Sequence, residues 1–398
     1  MGGTPATIVR PISCSKLSMI DSKLPHVGTT IFTVMSQLAA EHRAINLSQG
    51  FPDFDGPAAL LERAAYHLTH GHNQYAPMAG VAALREQVAR KVAGLYGCPV
   101  NMDTEVTITA GATEAIFCAI TAVVRPGDEV IVFDPAYDCY EPAVTLSGGV
   151  TRRVPLTAPS FLPDWDRVRE AITARTRLII TNSPHNPTGA IWRASDMHAL
   201  SGLARDHAFY VVADEVYEHI VFDGARHESV LRYPELYERS FVVSSFGKTY
   251  HLTGWKTGYC VAPPALTVEL RRIHQYVNFV ANTPIQHALA DYMAMAPEHA
   301  TSLGAFYQRK RDLFVGLLEG SRFGITPSGG TYFQLLDYGN VSNETDVDLA
   351  RRMTIEKGVA SIPVSVFYEH APELRLLRFC FCKDDATLAR AAEILCRL

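Results

Sequence analysis

From about residue 100 to 265, short apolar runs alternate with stretches of helical periodicity. Residues 106–109, 129–133, 178–181, 210–213, 241–244 and 259–262 read as strands, with helices such as 114–124 and 195–207 between them. Runs that are apolar at nearly every position suit strands covered on both faces. Helices crossing between them imply an α/β fold, a mostly parallel sheet with helices on both sides. Polar residues follow directly on several runs: Gly111, Tyr137, Asn186, Asp214 and Lys248. In an open α/β sheet such positions converge in the crevice beyond the strand ends.

The last hundred residues differ. Helical segments at 302–319, 346–356 and 384–395 are separated by short strands at 332–336 and 376–382. They read as a smaller α+β domain over 290–398, beside a large domain over 46–289. Residues 1–45 read as an arm and a helix (29–43) that pack with the small domain. A length of 398 residues is in keeping with more than one core.

Composition excludes several function classes. The net charge of −5 provides no basic footprint for nucleic acid or a membrane surface. The longest apolar stretch, 115–124, is too short to span a bilayer, and Pro11, Ser13, Ser15 and Lys16 interrupt any signal-peptide core. The eight cysteines contain no Cys-x-x-Cys pair, which fits reduced thiols and a cytoplasmic location. His67, His70 and His72 cluster where a helix ends at Gly71; cationic groups suit a helix C-terminus, and no metal site is expected. Gly247-Lys248-Thr249 imitates the end of a P-loop, but Val242 stands where that loop needs glycine. No Gly-x-Gly-x-x-Gly follows a strand, which disfavours a dehydrogenase.

Lys248 carries the strongest chemical signal. The run Phe241-Val242-Val243 delivers it into a turn rich in glycine and hydroxyls. Burial lowers an amine's pKa, and a neutral amine can attack a carbonyl to form a Schiff base. The alternative is an exposed loop lysine.

Seven segments together bring a family into view: Asn73-Gln74-Tyr75, Thr109–Glu114, Asp134-Pro135-Ala136-Tyr137, Pro184–Gly189, Asp214–Glu218, the Lys248 segment and Arg378-Phe379. In this order and spacing the chain resembles the class I pyridoxal-phosphate-dependent aminotransferases over essentially its whole length. Asn46–Phe54 and 244–259 are most similar to bacterial methionine aminotransferases and to kynurenine/glutamine aminotransferases. The resemblance implies the fold type I architecture, with a seven-stranded, mostly parallel sheet in the large domain, and pyridoxal 5′-phosphate as cofactor.

It also implies roles. The lysine matching Lys248 binds the cofactor's aldehyde and moves the substrate's α-proton. Asp214 matches the aspartate paired with the pyridine nitrogen, and Glu215 is expected to be structural. Asn186 and Tyr217 match the residues that bond the cofactor's 3′-oxygen. Tyr137 matches the ring that stacks on the pyridine, or else simply packs. Gly111, Ala112 and Thr113 open a helix whose N–H groups suit a phosphate, with Ser245 and Lys256 beside them. Aspartate aminotransferases typically have arginine where Lys256 stands. Tyr75 matches a tyrosine that reaches the phosphate from the neighbouring subunit of a homodimer, or else is a core residue. Arg378 matches the two-point anchor of the substrate carboxylate, with Arg375 nearby as a rival in the alignment. Gly50 matches a backbone group beside that carboxylate.

For the substrate side chain the candidates are Ile31, Phe32, Tyr75 and Tyr332, which suit methionine, aromatic or other large neutral amino acids. No arginine is assigned to a second carboxylate. The expected activity is transfer of an amino group to a 2-oxo acid by a ping-pong mechanism. The alternative is a β-lyase of the cysteine-S-conjugate type, using Lys248 and Asp214 identically. A cofactor-binding regulator fused to a DNA reader is the third reading; the chain has neither a basic patch nor room for a helix-turn-helix module.

Overall fold

The computed structural model describes residues 21–398; the first twenty residues of the arm and helix expected over 1–45, with Cys14, lie outside the described residues. A seven-stranded sheet is built from β1 (Val106–Thr109), β2 (Glu129–Asp134), β3 (Val150–Pro155), β4 (Thr176–Asn182), β5 (Tyr210–Asp214), β6 (Ser240–Ser245) and β7 (Gly258–Val261). Their order across the sheet is β1-β7-β6-β5-β4-β2-β3. β7 runs antiparallel to both neighbours; the other pairings are parallel.

The apolar runs form buried strands because both faces of the sheet are covered. Ile131, Ile179, Val211 and Val242 enter one core, while Val130, Val132, Leu178, Ile180, Val212 and Val243 enter another on the opposite face. This is period-2 alternation with both sides dry. Each such side chain, fully buried, contributes about 1.5–3 kcal/mol. β3 is not among the expected strands: Val150-Thr151-Arg152-Arg153 lacks an apolar run because it lies on the sheet edge, partly exposed. There Arg152 pairs with Glu129 and Arg153 with Asp134 of the neighbouring strand.

A third core gathers the C-terminal elements. A four-stranded antiparallel sheet runs Ile362–Pro363, Leu376–Cys380, Phe333–Asp337, Gly324–Ile325. The helix Ile31–Glu41, capped by the Thr30 hydroxyl, contributes Met35 to this core, and Ile45–Asn46 pairs with Val359–Ala360. The expected helix 346–356 is α-helical over Asp346–Arg352 and widens into a π-turn at Met353–Lys357. Among the described residues no helix is long and apolar enough to cross a membrane.

The parallel strands all end on one edge. Asp134, Asn182, Asp214 and Ser245 are the last residues of β2, β4, β5 and β6, so the segments after them meet in one crevice. The C-terminal sheet closes that crevice with Arg378 and Phe333.

Candidate active site

A cavity of about 360 Å³ lies at this edge. It is lined by Gly50, Gly111, Ala112, Thr113, Tyr137, Asn186, Asp214, Tyr217, Ser245, Lys248, Lys256 and Arg378. Three residues proposed from the sequence lie elsewhere. Thr30 and Phe32 line it, whereas Ile31, the first residue of its helix, packs against the C-terminal core. Tyr332 sits behind the wall that Phe333 forms, its hydroxyl donating to the Gly50 carbonyl at 2.7 Å. Tyr75 lies outside this cavity, 84 % exposed, its ring against Phe279.

Lys248 sits in the one-turn helix Phe246–Thr249 that β6 feeds directly. Burial drives its amine down to about 8 from its usual 10.5, the Cys382 and Cys380 thiols opposing and the Lys256 and Arg378 cations adding. Among the described residues its one hydrogen bond is to the Gly50 carbonyl, at 3.3 Å. A Cβ on Gly50 would lie 2.8 Å from the Phe333 ring; ring packing, rather than room for a ligand, requires glycine there.

Asp214 ends β5 and is buried. Burial pushes its carboxyl up to about 6, against hydrogen bonds from the Tyr140 hydroxyl and the Val216 N–H and the Lys248 charge. Tyr140 donates to Oδ2 at 2.5 Å, and the Asn182 amide braces the Asp214 carbonyl at 2.9 Å. Glu215, next in sequence, accepts from the Val230 N–H at 2.9 Å and pairs with His227, away from the cavity. Tyr217, fully buried, is pushed well above its usual value, chiefly by burial.

Arg378 lies in an inner strand of the C-terminal sheet. It donates from Nη1 to Asn186 Oδ1 at 2.8 Å and from Nη2 to the Ser48 carbonyl at 2.7 Å. Its Nε is buried without a partner among the described residues. Phe333 packs under the guanidinium, 3.9 Å from ring centroid to Cζ. Among the described residues no carboxylate forms an ion pair with it. Arg375 instead bonds Asn343 Oδ1 and the Ser342 carbonyl, outside this cavity.

The helix Ala112–Val123 points its N-terminus at the cavity. Gly111 has φ +84° and ψ 169°, a region open essentially to glycine alone. Its own N–H bonds back to the Thr109 carbonyl, so Ala112 and Thr113, not Gly111, offer free N–H groups. Lys256, in left-handed conformation, brings Nζ to 3.4 Å from where a Gly111 Cβ would be. Ser245 makes no cap bond to its own helix, leaving its hydroxyl available beside them.

Sequence reasoning missed Tyr140, Asn182, Ser48 and Phe333, which hold the site residues in place. Ser48 lies within the stretch Asn46–Phe54, but nothing there marks its carbonyl as a partner of Arg378; the other three lie outside the quoted motifs, and each meets its partner only through the fold.

Against this geometry the comparisons are direct. The family model for aminotransferase class I and II matches residues 42–395. Methionine aminotransferase of Escherichia coli (strain K12) is 54 % identical over 95 % of this chain and 98 % of that protein. The probable N-succinyldiaminopimelate aminotransferase DapC of Mycobacterium tuberculosis is 38 % identical over 95 % of this chain and 98 % of its own length. The crystal structure of YbdL from E. coli, identified with a methionine aminotransferase function, superposes with a TM-score of 0.94 at 53 % identity, covering 96 % of this chain and 100 % of that one. The chain belongs to the aminotransferase class I and II family. It is a pyridoxal-phosphate-dependent aminotransferase of the fold type I architecture.

The residues present fit that cofactor. A buried amine that forms no ion pair among the described residues stands ready for the aldehyde. A cation and free helix N–H groups stand where glycine leaves space for a phosphate, and the buried Asp214 carboxylate lines the same cavity.

Proposed function

We propose that this cavity moves the amino group of a large neutral amino acid, of methionine's type, to a 2-oxo acid. The observation that carries the reading is the joint burial of Lys248, whose amine is brought down to about 8, and Arg378, which forms no ion pair among the described residues. When bound, pyridoxal phosphate supplies a carbonyl for amines and an electron sink for charge developing at the substrate's α-carbon.

The residues divide the remaining work. Lys248 takes the proton from the substrate α-carbon and returns one during the second half-reaction; a pKa of about 8 suits a base that must work both ways near neutral pH. Asp214 would hold a protonated ring nitrogen, keeping the sink effective. Tyr217 and the Asn186 amide would bond the ring oxygen, and Tyr137 would cover a ring face. Ala112, Thr113, Ser245 and Lys256 would hold the phosphate. Arg378 binds the substrate carboxylate, steadied by Asn186 and with Gly50 at the cavity wall.

Substrate choice rests on the rest of the lining. Thr30, Phe32, Gln49 and Val216 offer apolar or neutral surface, and Asp138 adds an acidic group that does not suit a side-chain carboxylate. Among the described residues the cationic lining groups are Lys248, Lys256 and Arg378, each with a role above, so none is left for a side-chain carboxylate. The relatives reported above are transaminases rather than lyases. Free cysteines throughout the described residues support a cytoplasmic location.

The test is the visible spectrum of the purified, cofactor-loaded protein with L-methionine and no keto acid. The expected outcome is loss of the cofactor's aldehyde-form band, restored by a 2-oxo acid and absent in Lys248→Ala. A spectrum indifferent to methionine removes that substrate class; ammonia release without keto acid marks elimination instead.

Tyr75 supports a homodimer whose sites are completed across the interface, since its exposed ring stands edge-on to the part-exposed Phe279 and the two together leave an apolar surface uncovered. Mixing unfolded Lys248→Ala and Tyr75→Ala chains and refolding them together is expected to restore activity that neither has alone. If Tyr75 serves its own chain, the hybrid gains nothing.

A further inference from the structure

The histidines at the end of the helix Ala58–Thr69 do not all behave as a solvated helix end. His70 turns away, stacked on Tyr66 at 4.0 Å between ring centroids, its Nδ1 bonded to the Tyr66 carbonyl. His67 and His72 instead meet His287, from the helix Thr283–Met295 that packs alongside. One ring nitrogen from each of the three lies within 4.8 Å of the others. We propose that His67, His72 and His287 form a site for a divalent transition-metal ion of zinc's type.

Two observations beyond the cluster itself support it. The first is an unanswered nitrogen. His67 is 6 % exposed, and its Nε2 is engaged at 2.7 Å by Asp291 Oδ2. A proton on Nε2 serves that bond, which leaves the Nδ1 lone pair; Nδ1 is buried and has no hydrogen-bond partner among the described residues. A buried imidazole nitrogen left unpaired is costly, and a metal ion is a ligand that would satisfy it. The second is the Asp291 contact. A carboxylate on the far nitrogen of a ligating histidine fixes the tautomer and raises the ring's basicity. Asp291 is itself anchored by Arg63 at 2.6 Å, so it is held in position for that purpose.

The donor set selects the ion. Three imidazoles suit zinc, copper or nickel and disfavour magnesium or calcium, which need oxygen. Zn–N bonds of about 2.0–2.1 Å place tetrahedral nitrogens about 3.4 Å apart, so the side chains need to close by at most about 1.4 Å. Three protein ligands leave a fourth position for water. His72 and His287 are half-buried and provide the path of entry. An ion here would tie the end of one helix to the side of another and stiffen the segment that leads on to Tyr75.

The experiment is zinc binding to the chelator-stripped, cofactor-loaded enzyme, followed by competition with a chromophoric chelator and by elemental analysis. The expected result is about one zinc per chain. His72→Ala and His287→Ala are each expected to weaken binding ~100-fold or more, and Asp291→Asn ~10–100-fold. Substoichiometric zinc, or binding indifferent to His72→Ala and His287→Ala, overturns the proposal. Cobalt substitution of the unmutated enzyme is a check that needs no variant. Intense visible bands of a four-coordinate ion support the site, and the weak bands of a six-coordinate one overturn it.

Discussion

Glu218 and Arg378 each carry charge away from water, and their surroundings differ completely. Glu218 is met by Lys91 at 2.6 Å and the Tyr259 hydroxyl at 2.9 Å, with the Tyr96 and Ser244 hydroxyls beside them. Burial opposes its ionisation, but these partners prevail and hold its carboxyl well below the ordinary range. Among the described residues Arg378 hydrogen-bonds only two neutral oxygens, its Nε bonds none, and Asp138, the carboxylate near enough to feel its charge, forms no ion pair with it. The first charge is completed by the polypeptide; the second is left for a ligand to complete. A buried charge with its full set of partners is architecture, while one short of an anion marks the place where an anion binds.

Arg378→Leu should break the comparison on the functional side. It removes two charge-assisted bonds to a substrate carboxylate, worth about 3–6 kcal/mol together, or ~10²–10⁴ in kcat/KM. The melting temperature of the enzyme without substrate should stay level or rise, because an uncompensated buried charge is gone. Arg378→Lys should fall between, since a point charge cannot reproduce the fork. A large loss of stability in Arg378→Leu with unaltered KM would show the guanidinium to be structural.

Glu218→Gln should behave in the opposite sense. It strands Lys91, whose side chain is 13 % exposed, and should cost about 3–5 kcal/mol of stability. Turnover per folded molecule should be little changed, because Glu218 does not line the cavity. Adding Lys91→Met should recover part of that loss, a coupling that a double-mutant cycle by chemical denaturation would measure. A fully additive cycle would remove the ion pair from the account.

The same contrast explains what was legible in the sequence. The strands buried on both faces announced themselves as apolar runs, and the residues following them fell into the crevice because parallel strands share an end. Lys248, Asp214, Asn186 and Arg378 were found because they sit in motifs. The Glu218 network was not: Lys91, Tyr96, Ser244 and Tyr259 are far apart in the chain, and nothing local marks them as partners. β3 was missed because an edge strand needs no continuous apolar run. His287 stayed unconnected to His67 and His72 for the same reason as Lys91: two packed helices, not a spacing, bring them together.

Asp214 lies between the two extremes and allows a finer test. It has partners, yet burial still raises it to about 6 from its usual 3.8. A carboxyl raised on folding favours the protonated folded state. Its contribution to stability is therefore complete below about pH 4 and is lost as pH rises through about 6, on the order of 3 kcal/mol in all. Without cofactor, the wild-type melting temperature should fall relative to Asp214→Asn across that window and run parallel to it above. With cofactor bound, a cationic ring nitrogen beside the carboxylate should shift the window downward. Tyr140→Phe should have the smallest effect. Loss of its hydrogen bond, about 1.5–3 kcal/mol for a charged acceptor, destabilises the ionised form and should move the window upward. Turnover should drop about tenfold as the carboxylate holds the ring proton less firmly. If Tyr140→Phe moves neither the window nor turnover, burial alone sets Asp214, and the carboxylate belongs with Arg378 as a group completed only by what binds there.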